Sequence, residues 1–368
     1  MGNKSYFENL DGLRAIAALS VAFFHIANWF HYPKTKFYNA VQVVFSFGGN
    51  GGKLGVTFFF ILSGFLITFL MFKEQTKYGS INISSFYLRR VLRIWPLYYL
   101  TLLVGFVIYP FIMNLEGYPY NESASPFLYS IFATNFDHIY NGHPSIGILG
   151  VQWSVAVEEQ FYLIWPILFF LFNDKRYFPY LLIILFISSE VFLHYTQDWS
   201  ISYYHLLSNL RYLSFGAILA YITYLYSNKV VLFLNKITKK MNFFIYTFCL
   251  SLLLFQQKLP ALYFLDLIVH FLPFFFFGFV IIEQNFSENS FLKISSFKPL
   301  NWLGKISYGI YLLHMIAVYF VLSMFSKNRE FTLPFVLLTI ALTIYISYLS
   351  YRYIENFFLL LKAKFSRT

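Results

Sequence analysis

Apolar runs of membrane-crossing length order this chain, and the first of them carries its most costly residues. From Leu10 to Trp29 the sequence reads LDGLRAIAALSVAFFHIANW. Inside a bilayer no water is at hand to satisfy the backbone, so a run of this length crosses as a helix. Arg14 stands near its start and His25 deep within it. An ionisable side chain at that depth normally faces a partner or a water-filled cavity. Eleven helical residues advance about 16 Å and return to within roughly 20° of the starting face, so Arg14 and His25 share one side. With Arg14 at the inner edge of a hydrocarbon core about 30 Å thick, the imidazole sits near mid-membrane. Away from water it is uncharged and able to accept a proton.

The same test applied along the whole sequence gives an all-α, polytopic integral membrane protein of about ten transmembrane helices. They are expected near 11–31, 54–72, 91–113, 153–172, 178–195, 206–226, 242–257, 261–283, 305–325 and 334–360. With 58% hydrophobic and 12% charged residues, the chain has too little polar surface for a soluble globule. The net charge of +11 is therefore read as loop asymmetry and not as a nucleic-acid surface. With the N-terminus inside, most Lys and Arg fall on inner segments; Lys34, Lys36, Lys53, Arg211, Lys258, Lys327 and Arg329 are the exceptions. That asymmetry calls for an even number of crossings with both termini cytoplasmic. Cys249 stands alone, which excludes an internal disulfide and argues against a thiol-ligated metal; the histidines show no ligand spacing, so no metal is expected. Charges of both signs in the first ten residues argue against a cleavable signal peptide. A single membrane domain over 5–362 with no separate soluble domain is expected. The one long outer segment, Asn114 to Gln152, is read either as a lid or acceptor-binding surface or as an ordinary loop.

Several further stretches bear on chemistry. GGNGGK at 48–53 lacks the Gly-Lys-Ser/Thr ending of a phosphate loop and is read as a flexible lead into the second helix. Ser63 and Gly64 in that helix are small enough to admit a close neighbour. FYLRRVLRIWPLYYL holds Arg89, Arg90 and Arg93, either a positive-inside anchor or, together with Arg14, a guanidinium cluster suited to phosphate. VQWSVAVEEQFY puts Glu158 and Tyr162 on one helical face and turns Glu159 about 100° away. Glu158 lies at a depth close to that of His25, so the two could meet. LGKISYGIYLLH aligns Ser307, Tyr311 and His314, and for His314 a hydrogen bond between helices competes with a role in chemistry. Arg352 and Glu355, three apart, are expected to pair.

Taken in order, LDGLRAIAALSVAFFH, FFFILSGFLI, YLRRVLRIWPLYY, WSVAVEEQFY and SYGIYLLH resemble the membrane acyltransferase family 3, the O-acyltransferases that modify bacterial surface carbohydrates. The similarity covers essentially the whole chain. It implies about ten membrane helices in the cytoplasmic (inner) membrane. It also implies acyl-CoA as donor substrate with no bound cofactor, and a carbohydrate or glycolipid acceptor. The family's first-helix motif falls on Arg14 and His25, its Arg-rich motif on Arg89, Arg90 and Arg93, and its acidic motif on Glu158. Val155 stands where the family often has Leu. With no esterase-like domain following the bundle, a later transfer step would need another protein.

These features converge on acyl transfer, with acetyl the expected group, from acyl-CoA to a carbohydrate hydroxyl. His25 would be the general base or a transient acyl carrier, with Glu158 orienting it. Arg14, Arg89, Arg90 and Arg93 would hold the donor's phosphates, and Ser63, Tyr162 and His314 complete the candidates. The alternative is a transporter or flippase for a glycolipid or organic anion, whose buried charges would line a pathway.

Overall fold

The structure is a computed structural model that describes residues 7–29, 50–118, 120–172, 174, 176–256, 262–324 and 333–365. Lys34, Lys36, Lys258, Lys327 and Arg329, which bear on the expected charge asymmetry, lie outside the described residues, as do Gly48 and Gly49. Every regular element among the described residues is helical. Ten principal helices follow in order: α1 (Glu8–Trp29), α2 (Gly51–Tyr78), α3 (Ile83–Leu103), α4 (Gln152–Phe172), α5 (Phe178–Tyr195), α6 (Leu206–Leu225), α7 (Lys239–Phe255), α8 (Tyr263–Phe286), α9 (Ser307–Met324) and α10 (Leu333–Ser350).

Each expected crossing coincides with one of these helices. Eight helices among the described residues have the length and apolarity required; counting α6 with its neighbours, which bend by 95° at Tyr226, gives up to nine. The helix outside that count is α7, whose 17 described residues are one fewer than those of α5 and α9. The protein is thus a multi-pass membrane protein with about eight membrane-length helices.

The chain divides into two compact units, residues 1–66 with 219–347 and residues 67–218 with 348–368; α2, α6 and α10 run from one into the other. In the first unit, glycine sets how closely α1 is approached. A Cβ on Gly304, in the short helix Lys298–Lys305, would run into the backbone carbonyl of Asp11. A Cβ on Gly52 would meet the Phe24 ring at 2.6 Å, and one on Gly55 the Ser20 hydroxyl at 2.7 Å. Gly51 and Gly52 therefore form the first turn of α2 tight against α1, and not the flexible lead the glycine run suggested. The bare backbones gain close van der Waals contact, which takes the place of the hydrophobic effect between helices in lipid.

The second unit is held by buried hydrogen bonds between apolar helices. Trp165 Nε1 on α4 donates to Thr68 Oγ1 on α2 at 2.9 Å. Asn82 caps α3 by accepting from the Ser85 amide at 2.8 Å. Beyond α3 the chain stays helical through a π turn, Val104–Ile108, and Tyr109–Leu115, and the segment from there to α4 folds into three short helices, Pro126–Ser130, Thr134–Tyr140 and Gly147–Gly150. Phe132 in that segment has a positive φ of 56°, and its ring stacks on Tyr98 of α3 at 4.2 Å. Burial against Tyr98 offsets the steric cost of that conformation.

Arg352 and Glu355 do not pair. They lie in a π-helical turn, Tyr351–Glu355, whose wider winding carries residues three apart onto different faces. Arg352 reaches Tyr348 OH at 3.3 Å, while Glu355 accepts from Ser350 Oγ at 3.1 Å.

Candidate active site

In the first unit α1 and α9 bring two histidines together that are 289 residues apart in sequence. His25 Nδ1 lies 3.1 Å from His314 Nε2, and the rings stack with centroids 5.0 Å apart. His314 is fully buried. Its Nδ1 faces the carbonyl oxygens of Tyr311 at 2.7 Å and Ile310 at 3.2 Å. Carbonyls only accept, so His314 Nδ1 carries the proton and Nε2 presents a lone pair. His25 Nδ1 must then be the donor, shared between His314 Nε2 and the Val21 carbonyl 3.0 Å away. This order leaves the His25 Nε2 lone pair as the outward end of the chain. Phe24 meets the His25 ring edge-on at 5.3 Å, and Tyr311, itself edge-on to Phe59 at 5.9 Å, flanks the His314 side, so the pair sits in an aromatic enclosure.

Arg14, eleven residues before His25, forms an ion pair with Asp11 at 3.0 Å. Asp11 is also the residue whose carbonyl touches Gly304, so the placement of Arg14 depends on that backbone contact. Ser63 lies part-way along α2 in the same unit and is half-buried.

The second unit holds the other candidates. The three arginines have different surroundings. Arg89 bridges Glu74 Oε2 at 3.3 Å and donates to the Phe365 carbonyl at 2.9 Å; Glu74 is itself buried and accepts from the Asn82 amide at 2.9 Å. Arg89 thus ties the end of α2 to the start of α3 and to the C-terminal residues. Arg90 lies between the rings of Phe86 and Tyr162, 5.5 and 5.2 Å from their centroids, with its Nε buried and making no hydrogen bond to the described residues. Arg93 is half-buried and close enough to Glu355 to feel its charge.

On α4, Glu158 accepts from Tyr162 OH at 3.0 Å, as their shared face requires. The neighbouring Glu159 was not singled out by sequence, yet it is the carboxylate that faces α3. Its Oε2 accepts from Trp95 Nε1 at 2.9 Å, its buried Oε1 makes no hydrogen bond to the described residues, and it lies within electrostatic reach of Arg90. The signal available in advance was the 100° rotation from Glu158, which turns Glu159 to another neighbour. Sequence also passed over His314 as the partner of His25, in favour of Glu158. His25 and His314 belong to one unit and Glu158 to the other.

The segment before α4 contains a second buried histidine. His138 Nε2 pairs with Tyr129 OH at 3.1 Å, and its Nδ1, like Asp137 Oδ2 and Thr134 Oγ1, makes no hydrogen bond to the described residues. Tyr204 packs edge-on at 4.9 Å and His143 at 5.5 Å. Burial, and secondarily the His143 charge, hold the His138 imidazole down to about 3 from its ordinary value of 6.5.

The model of the acyltransferase domain family matches residues 7–352, across both units. Among known proteins, the peptidoglycan O-acetyltransferase OatA of Listeria monocytogenes is 29% identical over 385 residues, which covers 96% of this chain and 56% of that protein. The putative peptidoglycan O-acetyltransferase YrhL of Bacillus subtilis is 28% identical, with 95% of this chain and 54% of the relative covered. The O-acetyltransferase OatA of Staphylococcus aureus is also 28% identical, with 97% and 58% covered. The chain spans a little over half the length of these relatives. No solved structure matches it.

Proposed function

The chain belongs to the acyltransferase domain family, and from that premise we propose that it moves an acyl group, acetyl first, from acyl-CoA to a hydroxyl of a cell-surface carbohydrate. Relatives named as peptidoglycan O-acetyltransferases make the cell-wall glycan the first acceptor to test. The observation that carries the reading is the hydrogen bond between His25 and His314. It aligns the imidazole and leaves one ring nitrogen able to take a proton, the requirement for a general base.

In the proposed step His25 Nε2 takes the proton of the acceptor hydroxyl while that oxygen attacks the thioester carbonyl carbon. The carbon–sulfur bond breaks, and the proton passes from His25 to the departing thiolate. The same nitrogen can instead take the acyl group first and hand it to the acceptor, since imidazole is a competent nucleophile. His314 stabilises the positive ring that forms in either case, because its Nε2 lone pair faces His25 Nδ1–H. Arg89, Arg90 and Arg93, with Arg14 on the first unit, are the proposed phosphate ligands, Glu158 the proposed acidic partner, and Ser63 and Tyr162 further lining residues. Arg14 and Arg89 already hold Asp11 and Glu74, so donor phosphate would bind them by exchange with a carboxylate. We read the two units as one family domain in the cytoplasmic membrane, crossing ten times with both ends inside.

The test is transfer of label from acetyl-CoA to surface glycan in membrane vesicles, wild type against His25→Ala at matched expression. Label with the wild type alone supports the reading. Equal labelling removes His25 from the chemistry, and no labelling with either removes acetyl-CoA as the donor.

A further inference from the structure

The first unit also carries a slot that this chemistry does not use. It has a volume of about 310 Å³ and lies between α1, α2, α7 and α8, with the segment following α8 at one end. Leu13 and Ala17 contribute the α1 wall. His25 is turned roughly 120° from Leu13 around that helix, so the slot and the imidazole pair occupy different sides of α1. On α8 the lining runs from Gln284 to Phe276, about 12 Å along the axis.

The lining calls for an apolar occupant. Its polar side chains are already bonded within the protein. Tyr246 OH donates to Glu283 Oε2 at 2.9 Å, Gln284 Nε2 to the same oxygen at 2.8 Å, and Ser20 Oγ to the Ala17 carbonyl at 2.9 Å. At about 30 Å³ for each water-sized group, the volume holds roughly ten such groups. That is the bulk of one alkyl chain within a 12 Å length.

The end of the slot at Gln284 is cationic. Asn9 Nδ2 donates to the Gln284 carbonyl at 2.7 Å, and Asn242 Nδ2 to the Asn289 carbonyl at 3.2 Å. These bonds set the start of α1, the start of α7 and the end of α8 at one level. Lys239 and Lys240 open α7 there, Lys236 precedes them, and Lys298 and Lys305 bound the short helix beside the slot; all five are exposed, against Glu8 and Glu288. Phe291, Leu292 and Trp302 are exposed among them, the mixture of aromatic and basic side chains that sits at a lipid headgroup layer. Basic pockets between membrane helices bind anionic headgroups.

We propose that this slot takes one acyl chain of an anionic phospholipid, whose phosphate is held by the lysines at its mouth. The lipid would pack on α1 on a side away from His25. This assignment does not rest on the acyl-transfer reading, and its test reads binding alone.

The full chain, reconstituted in phosphatidylcholine, is exposed to phosphatidylglycerol bearing a photoreactive group within one acyl chain, and the cross-linked peptides are mapped. Cross-links should concentrate on the slot-facing residues of α1, α7 and α8. Unlabelled phosphatidylglycerol should compete about tenfold better than phosphatidylcholine. Leu250→Trp, which fills the slot from an exposed lining position, should lower the yield about fivefold, whereas Ile184→Trp on exposed α5 should leave it unchanged. Cross-links spread evenly over the lipid-facing helices would overturn the site even if neither variant folds. Equal competition by both lipids would overturn the anionic assignment.

Discussion

Two buried imidazoles in this molecule have opposite surroundings. His314 in the first unit uses both ring nitrogens, Nδ1 on the carbonyls of its own helix and Nε2 on His25. His138, in the segment before α4, uses Nε2, on Tyr129, while its buried Nδ1 makes no hydrogen bond to the described residues. The first arrangement is a directed chain with an open end, suited to passing a proton. The second is closed on a tyrosine and can only lose by being protonated. Burial of a histidine is thus no guide to its role; the direction of its hydrogen bonds is.

The comparison is sharpest where His314 is changed. His314→Leu should lower transfer about 10²-fold, since His25 Nδ1–H loses the acceptor that fixes its orientation. His314→Gln should recover about tenfold of that loss, because an amide oxygen can still accept from His25 Nδ1–H. A merely structural His314 would give equal losses in both variants and an unshifted pH profile of kcat. The measurement is the initial rate of label transfer across pH in vesicles with matched protein content.

Next in size is the packing behind that chain. Gly304→Ala should destabilise the first unit by about 1 to 3 kcal/mol, because its Cβ would be driven into the Asp11 backbone. Thermal unfolding in detergent reads the loss. Transfer should fall with it if the Asp11–Arg14 pair matters to the donor, while Gly79→Ala, at an open turn where φ is +76°, should reduce stability without touching that pair.

The helices were legible because a bilayer leaves the chain no other way to satisfy its backbone, so apolar length alone locates them. His25 and the arginine run were legible for the converse reason, that ionisable groups are costly where they stand. Partnerships were not. His25 and His314 are joined only by the packing of α1 on α9, which no local spacing encodes. The three arginines read alike in sequence, yet Glu74 binds Arg89 alone, because that carboxylate is set by the end of α2 and the Asn82 cap. Arg352 and Glu355 failed to pair because a π turn changed the helical count between them. The fold of the segment before α4 was hidden too, since its helices are a few residues each and their burial depends on Tyr98 and Tyr204 from other parts of the chain.

The closed site should declare itself through pH. Folded His138 resists protonation down to about 3, whereas in an unfolded segment it takes a proton near 6.5. Between those values the unfolded state binds more protons, so stability is full above 6.5 and falls as pH drops, by up to about 1.4 kcal/mol per unit. Protection from amide exchange or protease over residues 126–150 should decline in that window, with His143, Tyr129 and Tyr204 the groups facing the ring. His138→Gln should flatten the decline; an unchanged slope would assign it to another group.

The smallest expected effect tests the carboxylate that sequence passed over. Trp95→Phe removes the hydrogen bond from Trp95 Nε1 to Glu159 Oε2 while keeping most of the ring that packs on Phe132. The net value of such a bond is about 1 kcal/mol, more when the partner is left buried. If Glu159 only balances the charge of Arg90, the variant should lose about that much stability, with an unchanged KM for acyl-CoA. If Glu159 holds Arg90 in place for a phosphate, KM should rise about fivefold with kcat unchanged. A fall in kcat alone would instead move Glu159 toward the reacting atoms, and it would then be the second unit, not the histidine pair, that set the rate.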